Sequence, residues 1–214
     1  MPIIETEAQD ISAYIPTNLI SITDGQIYLS PKLFELGILP AVDVGKSVSR
    51  VGGKAQLPAY RSITGNLKLA YSQFEELETF SRFGTRLDEN TRKTIEHGKR
   101  IRVILKQNEL HPMPVPEQIV ILLALSGGLF DVVPINKMQE AEAELHKLIP
   151  ELPRELLSRL FSDKDLSDAD REIILKSAGD TIAPFNDKPE SETVSETETK
   201  PKPKKEPEPD QNQK

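Results

Sequence analysis

The sequence predicts an α+β to mainly α chain: a partial α/β segment over residues 1–57, a helical bundle over 58–183 and a disordered tail over 184–214. Three observations carry this reading. Before residue 58, short apolar runs alternate with turn residues; beyond it, apolar side chains recur every three or four positions; after Phe185, Val194 is the only aliphatic residue left. A tail of that composition cannot bury enough apolar surface to offset the entropy of ordering it. Its charged stretch over residues 200–210 reads as a solvated spacer.

The first segment has strand and turn character. Residues 19–23 and 26–30 flank Asp24-Gly25, and an Asp-Gly pair between apolar stretches predicts a β-hairpin, with Ile20, Ile22, Ile27 and Leu29 lining one face. Residues 31–37 read as a short helix with Ser30 as N-cap and Pro31 at the first helical position. Residues 38–44 then return as a strand. Such a piece buries too little to hold itself, and it reads as the second part of a larger sheet.

The helices come next. Ile63, Leu67, Ala70, Phe74 and Leu77 form one continuous stripe, and Glu75, Glu76 and Glu78 read as a solvated face of the same helix. A second helix begins at the N-cap Asp88 and runs through Ile95, Ile101 and Leu105 toward Gln107. After the break at Pro112 and Pro114, Pro116 and Glu117 start a helix that is apolar nearly all round over 119–125 and therefore buried, with Gly127-Gly128 weakening its end. Three shorter helices follow, carried by Ile135, Met138, Leu145 and Leu148, then by Leu156, Leu157, Leu160 and Phe161, then by Ile173, Ile174 and Ala178. The last has Ser167 as N-cap, Asp170 three residues on and Gly179 as its stop.

Composition narrows the functional classes. The chain has no cysteine, so thiolate chemistry and disulfides are excluded. A net charge of −7 disfavours nucleic acid as a partner. The longest apolar run, residues 119–125, is too short to span a bilayer, and an acidic segment after Met1-Pro2 argues against a secretory signal. His97, His111 and His146 show no ligand spacing, so no metal site is expected. The motif GxxxxGK[ST], whose backbone amides cradle phosphates, is incomplete: Gly45-Lys46-Ser47 supplies its end, but Pro40 stands where the first glycine belongs.

The most informative stretch is Gly45-Lys46-Ser47-Val48-Ser49-Arg50-Val51-Gly52-Gly53, a lone arginine among small residues. With Pro2-Ile3-Ile4-Glu5-Thr6, Asp10-Ile11-Ser12-Ala13-Tyr14-Ile15-Pro16-Thr17-Asn18 and Ser21-Ile22-Thr23-Asp24-Gly25-Gln26-Ile27, it resembles, in order and spacing, the alpha subunit of F-type ATP synthases. The similarity continues through Phe83-Gly84-Thr85-Arg86-Leu87-Asp88, Leu105-Lys106-Gln107, Pro112-Met113 and Glu117-Gln118, and covers about residues 2–182.

The resemblance implies that residues 1–57 are the C-terminal part of a RecA-like nucleotide-binding domain, and that a barrel and a phosphate loop would precede Met1. It implies a truncated, non-catalytic alpha-type subunit of the proton-translocating enzyme. Arg50 would act as an arginine finger, stabilising phosphoryl charge on a nucleotide held by a neighbouring beta subunit. Ser47 matches a position needed for activity, where a short hydroxyl fixes its loop through the backbone; Ser49 serves as well on physical grounds. Pro40 and Gln107 match residues near the adenine of the subunit's own nucleotide, but Leu39 replaces an arginine and Glu109 stands where an amide is expected. The implied ligands are ATP or ADP with Mg in the assembled complex, none held tightly by this chain alone. The implied partners are beta and gamma subunits in a ring peripheral to the cytoplasmic face of a bacterial plasma membrane, touching the membrane only through the complex.

Without the resemblance, Arg50 reads as a surface arginine paired with a carboxylate and Ser47 as a turn serine. A stand-alone helical interaction module, or a non-functional gene fragment exposing an unpaired sheet edge, are the alternatives that remain open.

Overall fold

A computed structural model describes residues 2–81, 88–162 and 165–186. The tail expected to be disordered lies outside the described residues from 187 onward; just before it, Ala183–Phe185 form a 3-10 turn. The motif residues 83–87 also lie outside the described residues.

The first segment departs from the predicted hairpin. Residues Tyr14–Ile22 form helix α1, which ends where the Thr23 amide and hydroxyl both reach the Leu19 carbonyl. The physical reason is visible in the spacing: Ile15, Leu19 and Ile22 recur at helical intervals, and Pro16 falls in the first turn, where its missing N–H removes no intrahelical bond. The Asp-Gly pair therefore follows a helix, not a strand. Gly25–Gln26 (β1) pairs antiparallel with Val48–Ser49 (β2), Gly25 opposite Ser49 and Gln26 opposite Val48. Gly25 adopts φ +150°, and a Cβ there would collide with the Val48 carbonyl, so glycine is required for the strands to approach.

The predicted strand over 38–44 is reduced to a bridge between Leu29 and Val42, flanked by Ser30 N–H to Ala41 O and Asp43 N–H to Tyr28 O. Between them Pro31–Glu35 (α2) is the short helix read from the sequence, with Ser30 at its N-cap position; the serine side chain makes no capping bond. Of Ile20, Ile22, Ile27 and Leu29, expected to line one face of that hairpin, Ile20 is half-buried and the other three are exposed.

From Pro58 onward the helical reading holds in most particulars. Helix α3 (Pro58–Ser81) buries Ala59, Ile63, Leu67, Tyr71 and Phe74. Helix α4 (Glu89–Ile104) is capped by Asp88, whose carboxylate accepts from the Thr91 amide. The two helices touch at Gly98, against the Phe74 ring. Helix α5 (Val115–Ser126) is buried over most of its length, its apolar circumference packing against α3 and against α6 (Met138–Leu148), α7 (Arg154–Leu160) and α8 (Asp168–Ile182).

Helix α8 starts as predicted, with the Ser167 hydroxyl accepting from the Asp170 amide. It does not stop at Gly179: Ile174, Ala178 and Ile182 continue one buried stripe, so tertiary packing carries the helix past the glycine. Phe161, placed by its sequence pattern in the apolar cluster of α7, is exposed instead.

Candidate functional site

The loop bearing Arg50 is shaped by backbone bonds and small polar side chains. Ser47 Oγ donates to Asp43 O at 2.6 Å and accepts from Tyr28 N–H at 3.0 Å, joining the turn at 43–47 to the bridge that precedes α2. Lys46 lies over the Tyr28 ring, its Nζ 4.7 Å from the centroid and 3.8 Å from Asp43. Ser49 Oγ accepts from Gly52 N–H at 2.9 Å and closes the turn after the arginine. Both serines thus act on the backbone on either side of Arg50.

Arg50 itself is exposed. Its amide donates to Asp24 O at 2.6 Å, continuing the β1–β2 pairing by one residue. Its guanidinium donates to Ile20 O at 3.2 Å and Ser21 O at 3.5 Å, carbonyls of the last turn of α1. Those carbonyls have no intrahelical partner and mark the negative end of the helix dipole, which favours a cation there. Among the described residues no carboxylate pairs with Arg50. A guanidinium held only by neutral carbonyls keeps its charge for an incoming anion.

Pro40 and Gln107, far apart in sequence, meet. The Leu39–Pro40 peptide bond is cis, and Gln107 N–H donates to Leu39 O at 2.8 Å. Together with residues 108–112 they line an open groove of about 410 Å³. Gln107 Nε2 donates to His111 O, and His111 Nδ1–H donates to Glu109 O, so the turn is fastened to itself. Leu110 stands at its tip, 96% exposed and with φ +61°. The groove thus offers a proline ring, a glutamine turn, the Glu109 backbone and the Leu39 side chain.

The acidic face of α3 is not simply solvated, contrary to the sequence reading. Glu78 forms a bidentate pair with Arg102 at 2.8 and 2.9 Å, and the Arg102 guanidinium lies 4.4 Å above the Phe74 ring. Burial is the largest influence and opposes the Arg102 charge, but hydrogen bonding to Glu78 and Tyr71 and their charges together outweigh it and hold the guanidinium above its ordinary pKa. Glu75 is pushed above the usual carboxylate range, first by burial and then by the nearby Asp43 carboxylate. The Glu75 carboxylate of α3 thus lies near Gly45 and within electrostatic reach of Asp43 at the base of the Arg50 loop. Nothing in the sequence near Glu75 signals this, because the Asp43 carboxylate that repels it lies in another segment.

Thr23, Asp24 and Gly25 carry no site assignment from the sequence, although they hold Arg50 in place. The Asp-Gly signal marks the glycine correctly and its pairing partner wrongly, since the paired strand lies more than twenty residues on.

Residues 56–181 match the family described as ATP synthase alpha/beta chain, C terminal domain, and residues 1–49 match the ATP synthase alpha/beta family, nucleotide-binding domain. The chain is 65% identical over 193 residues to ATP synthase subunit alpha 2 of Albidiferax ferrireducens, covering 90% of this chain and 36% of the relative. It is 68% identical over 178 residues to ATP synthase subunit alpha 1 of Chlorobium luteolum, covering 83% and 35%, and 64% identical over 185 residues to ATP synthase subunit alpha 1 of Shewanella frigidimarina, covering 86% and 36%. The chain thus spans about a third of the length of the curated relatives it matches. On the strength of a model match over more than half of its residues, the chain belongs to the ATP synthase alpha/beta chain, C-terminal domain family.

Proposed function

We propose that this chain acts as the part of an alpha-type subunit of an F-type ATP synthase that runs from the end of the nucleotide-binding domain through the helical bundle, and that Arg50 is an arginine finger for a neighbouring catalytic subunit. The observation that carries this is the state of Arg50: exposed, charged, without a carboxylate partner among the described residues, on a loop fixed from both sides by Ser47 and Ser49. Phosphoryl transfer is catalysed mainly by positioned positive charge, and a guanidinium can be supplied from a subunit that does not grip the nucleotide. Ser47 acts as a positioning residue for the loop.

On this reading residues 1–57 are the end of a RecA-like domain, residues 58–183 the bundle, and the partners are beta and gamma subunits in a ring on the cytoplasmic face of a bacterial plasma membrane. The nucleotide is ATP or ADP with Mg. The groove at Pro40 and Gln107 is of a size usual for small-molecule sites, about 300–1,000 Å³, and its proline ring suits one face of a purine. With Leu39 in place of a cation, its recognition of adenine rests on the backbone and on Gln107. Magnesium and the phosphates would be held by residues outside this segment, and the metal supplies charge neutralisation there.

The test is steady-state ATP hydrolysis by the assembled alpha/beta ring with Arg50→Ala and Arg50→Lys. Loss of such a finger costs on the order of 10³-fold or more in turnover, and lysine is expected to restore little because a point charge replaces a planar fork. Turnover at the wild-type rate in both variants would refute the assignment.

A further inference from the structure

The end of helix α1 and the start of β1 converge on Arg50, and one side chain couples them. Thr23 Oγ1 lies 2.7 Å from Leu19 O and 3.1 Å from Gly25 O, so its single hydroxyl proton bridges the last turn of α1 and the first residue of β1. On one side of this bridge are the Ile20 and Ser21 carbonyls that receive the Arg50 guanidinium. On the other side are Asp24 O, which receives the Arg50 amide, and Gly25, which pairs with Ser49. Backbone and side chain of Arg50 are therefore referenced to two elements whose mutual placement depends on Thr23, a half-buried residue with no other assigned role.

We propose that Thr23 is a positioning residue for Arg50: its hydroxyl locks the α1 terminus to β1 and so fixes the guanidinium at the α1 carbonyls, ready to transfer to a phosphoryl group presented by the neighbouring subunit. This rests on the arginine-finger reading and deepens it. The chemistry is local. Ile20 and Ser21 carbonyls are neutral acceptors at the negative end of a short helix, strong enough to orient a guanidinium and weak enough to release it to a full anionic charge. Without the hydroxyl, the helix end and the strand are joined only by backbone, and the two anchors of Arg50 move independently. A displacement of about 1 Å in a positioned catalytic group costs up to about 100-fold.

Two readouts test this with Thr23→Val, which keeps the shape and removes the hydroxyl, and Thr23→Ser, which restores it. The first is hydrogen exchange of the Arg50 amide in the chain itself, expected to quicken about tenfold in Thr23→Val as the bond to Asp24 opens more often, and to return in Thr23→Ser. The second is ATP hydrolysis in the assembled ring, where Thr23→Val is expected to lower kcat about tenfold with KM within about twofold, since ground-state binding is untouched. Either readout at its wild-type value in Thr23→Val, or no recovery in Thr23→Ser, overturns the proposal. An Arg50→Ala control separates the two claims. If it leaves turnover intact, the finger reading fails; if it abolishes turnover while Thr23→Val does not change it, only the positioning role fails.

Discussion

Replacing Gly98 by alanine tests the packing that holds the bundle together. In α4, a Cβ at Gly98 would collide with the Cβ, Cγ and Cδ2 atoms of Phe74, a fully buried ring in α3. The ring has no free direction to retreat, because the Arg102 guanidinium lies over it and is itself pinned by Glu78. Helices α3 and α4 must therefore separate, leaving gaps elsewhere along their contact. Overpacking of a well-filled core costs about 1–3 kcal/mol, and the upper end applies when the clash involves an atom as close to the backbone as a Cβ. Alanine returns about 1 kcal/mol through its better helix propensity. The net loss is then about 1–2 kcal/mol, which lowers Tm by roughly 3–8 °C for a domain of this size.

The assay is thermal unfolding followed by circular dichroism, beside Gly65→Ala as the control. A Cβ added at Gly65 in α3 would meet nothing within 4 Å, so alanine there is expected to raise Tm through propensity alone. A Gly98→Ala chain as stable as Gly65→Ala would refute the close-contact reasoning.

Ser167→Ala removes the hydroxyl that accepts the Asp170 amide at the start of α8 and is expected to cost about 1 kcal/mol, read by urea unfolding. Glu75 predicts a pH dependence with a definite sign. Its carboxyl is held above its ordinary value of 4.5 by burial and by Asp43, so the folded state binds this proton more tightly than the unfolded state. That contribution is fully present below the ordinary value and is lost as pH rises through the raised one. Wild-type Tm should accordingly fall relative to Glu75→Gln across that window, and parallel pH profiles for the two chains would contradict the assignment.

The bundle is legible because its signals are local. The stripe from Ile63 to Phe74, the cap at Asp88 and the all-apolar turns of α5 each sit in one stretch of sequence and specify one element. The first segment is less legible because its pairing is not local. Asp24-Gly25 carries a strong hairpin signal, but the residues before it satisfy a helix and Gly25 uses its freedom to meet Val48–Ser49 across the intervening helix α2. Gly179 misleads for the opposite reason: a local stop signal is overridden by burial of Ile182.

At the candidate site, the sequence points to Ser47, Arg50, Pro40 and Gln107, and the last two do line one groove. It cannot show that Arg50 rests on the carbonyls of α1, since backbone acceptors leave no mark on residue identity. Nor does it show Glu78 and Arg102 as partners, because helical spacing describes one helix at a time.

The most direct measurement of the central claim is the affinity of the assembled ring for ADP with fluoroaluminate, a mimic of the transferring phosphoryl group, in wild type and in Arg50→Ala. If the Arg50 guanidinium acts on charge that develops during transfer, the variant should bind this mimic about 10³-fold more weakly while its affinity for ATP changes by less than about threefold. Equal affinity for the mimic in both proteins, or an equal loss for mimic and ATP, would contradict it.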